Sequence, residues 1–209
     1  MPLHRDDVVR GAIDLLDEVG LDRLTTRALT TRLGVAPGAL YWHIRSKAEL
    51  LSAIAAEIMR EAFTAPAATR GDWAEQSAAF AHRTRRAMLA HRDGARVVAG
   101  HLPFSAAALD ATEAGLALLR GTGLPLARAA YFGHTVASYV TGFVLQEQAE
   151  PPVAETTEGA AGTPLPTVTP ERHPHLLEWM SAKPTDREEA FTAGLDLIIN
   201  GLRGELAQQ

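Results

Sequence analysis

Cysteine is absent from the 209 residues. That excludes a disulfide framework, a thiolate metal site and a thiol nucleophile. No run of 18 or more apolar residues occurs, so no membrane-spanning helix is expected. The opening Met1-Pro2-Leu3-His4-Arg5-Asp6 turns charged at once, unlike a secretory signal, and a soluble cytoplasmic protein is expected. Alternating β-branched runs are missing too, and no internal repeat is found. What is present is an Ala- and Leu-rich chain, 46% apolar, enough to bury a substantial core. This composition reads as an all-α protein.

Charge is short of one sign over one stretch. Between Arg23 and Lys47 stand five basic residues (Arg23, Arg27, Arg32, Arg45, Lys47) and no acidic one. Residues 1–50 hold seven basic and seven acidic groups, so the remaining 159 residues carry the whole net charge of −5. A locally basic segment on an acidic body suits a DNA-reading head on a non-binding body, although a charge run by itself is also what a solvated face looks like.

The apolar spacing predicts a first helix over 6–19, with Val8, Val9, Ala12, Ile13, Leu16 and Val19 on one face and Gly20 stopping it. A short second helix starts at Thr25 or Thr26, buries Leu29 and Leu33, and ends at Gly34. Pro37 opens a third through His43, anchored by Leu40 and Ile44. Ser46 caps a fourth, about 47–64, with Glu49 three residues on as a capping box. A break is read at 65–71. Helices then follow from the cap Asp72 to about 90, near 95–99, over 106–120 and 125–149, at about 171–181, and from the cap Asp186 to Leu206. Residues 151–174 hold six of the twelve prolines and read as a mobile loop. The last helix carries the stripe Phe191, Leu195, Ile198, Leu202, Leu206, with Gly194 and Gly201 small enough for close helix approach.

Two short helices joined by a Gly-containing turn form a helix-turn-helix pattern, which an ordinary helical hairpin would also show. The residues of the third helix favour the DNA-binding reading. Tyr41, Trp42 and His43 are consecutive, and successive helical residues point about 100° apart. With Leu40 and Ile44 on the buried face, at least two of the three must be exposed. Exposed aromatics suit contact with DNA, their hydrogen-bonding tips with phosphate and sugar and their apolar rings with thymine methyl groups. The N-terminal end of such a helix enters the major groove. Expected DNA contacts are therefore Thr26, Arg27, Pro37, Gly38, Ala39, Tyr41, Trp42, His43 and Lys47.

On these residues the chain resembles the TetR family of regulators. The motif runs Leu24-Thr25-Thr26-Arg27-Ala28-Leu29, Leu33-Gly34-Val35, Pro37-Gly38-Ala39-Leu40-Tyr41-Trp42-His43-Ile44 and Ser46-Lys47-Ala48-Glu49-Leu50-Leu51. Beyond the head, His91-Arg92-Asp93-Gly94-Ala95-Arg96-Val97, Gly142-Phe143-Val144-Leu145 and the segment from Gly194 to Leu202 are similar to the body of its tetracycline-binding members. The resemblance implies a helix-turn-helix DNA-binding domain at 1–46 and a ligand-binding and dimerisation domain at 47–209. It also implies a homodimer formed by the last long helices, a palindromic double-stranded operator, and a transcriptional repressor released by a small-molecule effector.

The resemblance also shows where this chain departs. At the position of a His metal ligand stands Val98, and at that of a Glu holding a metal-bound water stands Gln146. Phe80 replaces a contact Asn, and Phe63 a second His. Val and Phe cannot ligate magnesium. The expected effector is therefore apolar or aromatic and binds without metal or other cofactor. Phe63, Phe80, Val98, Leu102, Pro103 and Phe143 would line its pocket, and Thr84, His101, His134 and Gln146 would supply polar contacts. Two rival readings remain. One is an α-helical enzyme with a base among His82, His91, His101 and His134, although no nucleophile motif, His-Glu-x-x-His spacing or phosphate loop supports it. His173-Pro174-His175 offers two metal ligands with no obvious third. The other is an architectural DNA-binding protein with no effector, which would not need so extended a body.

Overall fold

A computed structural model describes residues 3–64, 71–101, 105–149, 168–182 and 186–208. Among them the chain forms ten α-helices, one 3₁₀ turn and no strand. The order is α1 Arg5–Val19, a 3₁₀ turn Leu21–Arg23, α2 Thr26–Leu33, α3 Pro37–Tyr41, α4 Lys47–Thr64 and α5 Trp73–Leu89. Then come α6 Gly94–Gly100, α7 Ala106–Arg120, α8 Leu126–Ala149, α9 Pro174–Ser181 and α10 Arg187–Leu206. Leu102, Pro103 and most of the Pro-rich segment lie outside the described residues.

The helix ends follow local chemistry. Thr25 Oγ1 accepts from the N–H of Ala28 at 3.1 Å, and Asp72 Oδ1 accepts from Ala74 and Glu75. Gly34 closes α2 in the left-handed region at φ 66, where a Cβ is penalised. At α4 the expected box is displaced by one residue. Ser46 Oγ caps Glu49, but the Glu49 carboxylate returns to the N–H of Arg45 rather than Ser46. The third helix is shorter than expected, ending at Tyr41, with His43 in the following turn.

Two apolar cores result. The head core packs Val8, Ala12 and Leu16 of α1, Leu24, Leu29 of α2, Leu40, Ile44, and Leu50 to Ile58 of α4. The body core packs Met59 and Ala62 of α4 with Ala81 and Met88 of α5, Val136 to Val144 of α8 and Phe191 to Leu202 of α10. Helix α4 thus serves both cores, as does α6, with Ala95 in the body core and Val97 in the head core. Within the head, α1 and α2 approach so closely at Gly11 that an added Cβ would lie 2.7 Å from Leu33 Cδ2.

The last helix corrects the sequence reading. Phe191, Leu195 and Leu202, expected to mark a face for a second subunit, are buried in the chain's own core together with Ile199, which lies outside the expected stripe. Gly194 gives room to Tyr139 of the same chain, whose hydroxyl donates to the Phe191 carbonyl at 2.8 Å. Gly201 meets nothing. A stripe at helical spacing is satisfied first by the nearest apolar neighbour, here α8. The large apolar residues left exposed on this pair of helices are Leu126, Tyr131 and Leu197.

Candidate functional site

In the head, α3 presents its outer surface where Leu40 and Ile44 turn inward. Tyr41 is 51% and Trp42 89% exposed, while His43 is half-buried. Burying Trp42 against the core would release apolar surface from water; its exposure is therefore unexplained by folding and suits a partner. Pro37, Gly38, Arg27 and Lys47 are exposed and Thr26 and Ala39 half-buried, so all nine expected DNA contacts lie in the segment 26–47 that turns around α2 and α3. Arg27 follows the capping residue of α2 by two positions, and its backbone carbonyl takes the hydroxyls of Thr30 and Thr31.

Head and body are joined by polar contacts that no local pattern in the sequence announces. Arg96 of α6 pairs with Asp22, 2.8 Å between Nη2 and Oδ1, and with Asp93. The Arg96 guanidinium holds Asp22 below the ordinary carboxylate range, and Asp22 in turn, ahead of Asp93, raises Arg96. Asp17 of α1 takes the N–H of Arg92 at 2.9 Å and lies 3.0 Å from His91 Nδ1. Val97 of α6 is fully buried in the head core, and Val98 beside it packs against both cores. The residues 91–94 signal only a turn; nothing in their spacing names partners 70 or more positions away.

In the body, Phe63 of α4 stacks on Phe80 of α5, with ring centroids 6.1 Å apart and planes at 24°. Thr84 lies one turn along α5 from Phe80 and is buried. Half-buried His101 ends α6, its Nδ1 3.3 Å from the Val97 carbonyl. Phe143 joins a different group, packed on Tyr139 and Phe191 with the Arg85 guanidinium 5.8 Å from its ring. That arginine is itself buried and forks onto Glu147 of α8, at 2.9 and 2.7 Å, and onto Glu188 of α10. Its charge is reinforced chiefly by the Glu147 hydrogen bonds.

His134 and Gln146 do not join either group. Both are exposed on α8. That helix turns Phe132, Val136, Val140 and Val144 inward, and a residue two positions further on points roughly 200° away. A separate groove of about 1050 Å³ runs between α1, α4, the end of α5 and the start of α7, lined by charged residues such as Arg10, Glu57 and Arg60. It includes none of the expected pocket residues.

Two family matches divide the chain. Residues 8–54 match the family described as bacterial regulatory proteins, tetR family, and residues 65–206 match the tetracyclin repressor-like C-terminal domain. The chain belongs to the TetR family of transcriptional regulators. It is 37% identical over 202 residues to the tetracycline repressor protein class A from transposon 1721 of Escherichia coli, covering 96% of this chain and 90% of that one. A possible TetR family transcriptional regulator from Streptomyces coelicolor A3(2) superposes with a TM-score of 0.82 at 36% identity, over 96% of this chain and 99% of that one. ActR of Streptomyces coelicolor, solved in complex with (S)-DNPA, superposes with a TM-score of 0.82 at 31% identity, over 98% and 99%. The protein is thus a DNA-binding regulator by family, and these relatives are regulators rather than enzymes.

The donor set does not fit the magnesium that the tetracycline-binding members imply. Val98 is an alkyl group between two cores, Phe63 and Phe80 occupy each other, and Gln146 is an exposed neutral amide. Among the described residues no three His, Asp or Glu side chains gather in a metal-binding group. Nor is any helix among them long and apolar enough to cross a membrane.

Proposed function

We propose that this TetR-family regulator is a cytoplasmic homodimeric repressor, released from a palindromic operator by an aromatic small molecule bound without metal. The observation that carries the effector class is the Phe63–Phe80 stack at the junction of α4 and α5, in place of the polar contacts of tetracycline-binding members. Thr26, Arg27, Pro37, Gly38, Ala39, Tyr41, Trp42, His43 and Lys47 form the DNA-contacting surface in this reading. Phe63, Phe80, Thr84, Val98 and His101 border the effector, with Leu102 and Pro103 following directly in the chain.

The coupling uses the two elements that belong to both cores. A ligand shifts an equilibrium only by binding one state better than the other. Pressure on Phe63 acts on α4, whose other end carries Lys47. Pressure on Val98 acts on α6, whose Val97 sits in the head core and whose Arg96 holds Asp22. Either displacement changes the spacing of two recognition helices on successive grooves. A coupling of about 1–3 kcal/mol is the usual scale.

The experiment starts with duplexes selected from a random DNA pool by the purified protein. Release is then measured with tetracycline plus magnesium, and separately with flat aromatic compounds in the presence of a chelator. Release by the aromatic compounds alone is expected. Release by tetracycline–magnesium at micromolar levels, or a strict metal requirement, would return the protein to its tetracycline-binding relatives.

A further inference from the structure

Two neighbouring side chains on α5 lack the partners that burial demands. Arg83 Nε and Thr84 Oγ1 are both shielded from solvent, and neither makes a hydrogen bond. Thr84 is 8% exposed. A buried polar atom left unmet costs about 1–3 kcal/mol, and such atoms are rare enough in folded chains to require an explanation.

Arg83 also lacks an anion. Arg85, two residues on, is satisfied by Glu147 and Glu188, and Arg96 by Asp22 and Asp93, whereas Arg83 has no carboxylate within salt-bridge distance among the described residues. Its guanidinium lies 5.8 Å from the Phe80 ring centroid. Partial burial, with the nearby Arg86 charge as a lesser cause, pushes Arg83 below the ordinary arginine range, the direction for a half-buried cation that has gained no counter-charge.

The three residues share one surface. Phe80, Arg83 and Thr84 stand at i, i+3 and i+4 on α5, and Phe63 stacks on the first of them. An aromatic wall thus carries an unpaired fork donor and a free hydroxyl at its edge. A purely apolar ligand would leave both unmet. A ligand with an acidic group would satisfy the guanidinium in the bidentate geometry that arginine favours.

We propose that this site binds an aromatic carboxylic acid. Its ring packs on the Phe63–Phe80 pair, its carboxylate accepts from Nε and one Nη of Arg83, and Thr84 Oγ1 donates to an acceptor on the ring system. The proposal rests on the reading of the chain as an effector-responsive regulator and narrows its ligand to an anion.

The test titrates the full-length protein calorimetrically, at neutral pH with a chelator present, against anthraquinone-2-carboxylate and 1-naphthaleneacetate, each paired with its methyl ester. The acids are expected to bind at least about tenfold tighter than their esters, each tenfold being about 1.4 kcal/mol. Arg83→Met is expected to abolish that preference while leaving ester affinity within about threefold, roughly half of that interval. Thr84→Val should weaken the anthraquinone acid and its ester alike and leave the naphthalene pair, which has no acceptor on its rings, unchanged. Equal affinity of acid and ester for the wild type overturns the proposal, as does a preference that survives Arg83→Met. Absence of binding by both pairs at ~1 mM, the weak end of specific affinity, overturns it too. Should Arg83→Met lose its helical circular dichroism, Arg83→Gln, shorter than arginine but with a neutral amide donor in place of the charge, takes its place. Operator binding in the same samples separates failure of the acid from failure of the regulator reading. DNA released by neutral aromatics but indifferent to Arg83 removes only the acid, whereas no DNA binding removes the regulator reading.

Discussion

Asp93 of the body accepts the backbone N–H of Leu21 in the head at 2.8 Å, and it does so from a left-handed backbone at φ 56. No other described non-glycine residue has a positive φ. Aspartate tolerates that region better than most residues, yet glycine would adopt it freely. The side chain and the backbone therefore pull in opposite directions. Asp93→Gly relieves the strain but gives up the hydrogen bond to Leu21, while Asp93→Ala keeps the strain and gives up the same hydrogen bond. The alanine variant is expected to be the less stable of the two by about 1 kcal/mol in urea denaturation. Equal stability would mean that the turn stores no strain.

The pair beside it gives a pH dependence with a definite sign. Arg96 holds Asp22 below its ordinary value, so the ionised carboxylate favours the folded chain at every pH above that value. The contribution is lost as pH falls through the lowered pKa of the folded state. Asp22→Asn lacks it throughout. The stability gap between wild type and Asp22→Asn is therefore expected to be constant from neutral pH down to the ordinary aspartate range and to close below it. Both side chains are largely exposed, so the gap will be small and will shrink with added salt. A gap that widens in acid would contradict the pairing.

These contacts mark what the residues reveal and what they hide. Caps, glycine stops and apolar spacing act within one turn of helix, which is why Thr25, Gly34, Asp72 and Asp186 stand at helix ends where their chemistry puts them. The exposure of Tyr41 and Trp42 follows from three large neighbours that one face cannot bury. Long-range pairing carries no such periodicity. Asp22–Arg96 spans 74 positions and Arg85–Glu188 spans 103, and each charge read alone is only a charged residue. The Phe191 stripe shows the complementary limit: spacing says which face is apolar, not whether the chain or its copy covers it.

The buried fork is expected to matter more for stability than any surface pair. Arg85 and Glu147 have side chains only 7% and 9% exposed. Arg85→Met leaves Glu147 buried and unpaired, and a loss of about 3–5 kcal/mol is expected. Arg85→Met combined with Glu147→Leu removes both charges and should recover most of it. The double-mutant cycle by urea denaturation reads the coupling directly. A double variant no better than Arg85→Met would show that the pair acts through packing on Phe191, whose ring centroid lies 4.9 Å from the guanidinium.

Assembly is expected to rest on the outer face of α8 and α10, not on the buried stripe. The two helices lie antiparallel, Arg128 pairing with Glu205 at one end and Tyr139 meeting Phe191 further along. Leu197 is 77% exposed on that pair, with Tyr131 also exposed. A two-fold dimer closes such a face on itself. Light scattering is expected to give a dimer at micromolar concentration, and Leu197→Arg to shift it toward monomer without loss of helicity. A monomeric wild type would remove the two-fold reading of the operator.

The head offers the sharpest separation between stability and function. Trp42 is 89% exposed, so Trp42→Ala should leave the thermal midpoint nearly unchanged while weakening DNA binding. Arg27 and Lys47 should then divide by kind. Arginine can read guanine O6 and N7 with two hydrogen bonds, and Arg27→Ala is expected to cost about 1–3 kcal/mol and to relax the preferred sequence at one position per half-site. Lysine at the start of α4 meets phosphate as a point charge. Lys47→Ala should weaken every sequence about equally and lower the slope of log affinity against log salt by roughly one for each phosphate no longer neutralised. Fluorescence anisotropy on selected and scrambled duplexes, across a salt series, reads all three variants together. If Arg27→Ala leaves both affinity and sequence preference intact, guanine readout does not belong to Arg27 and the surface around α3 must specify the operator without it.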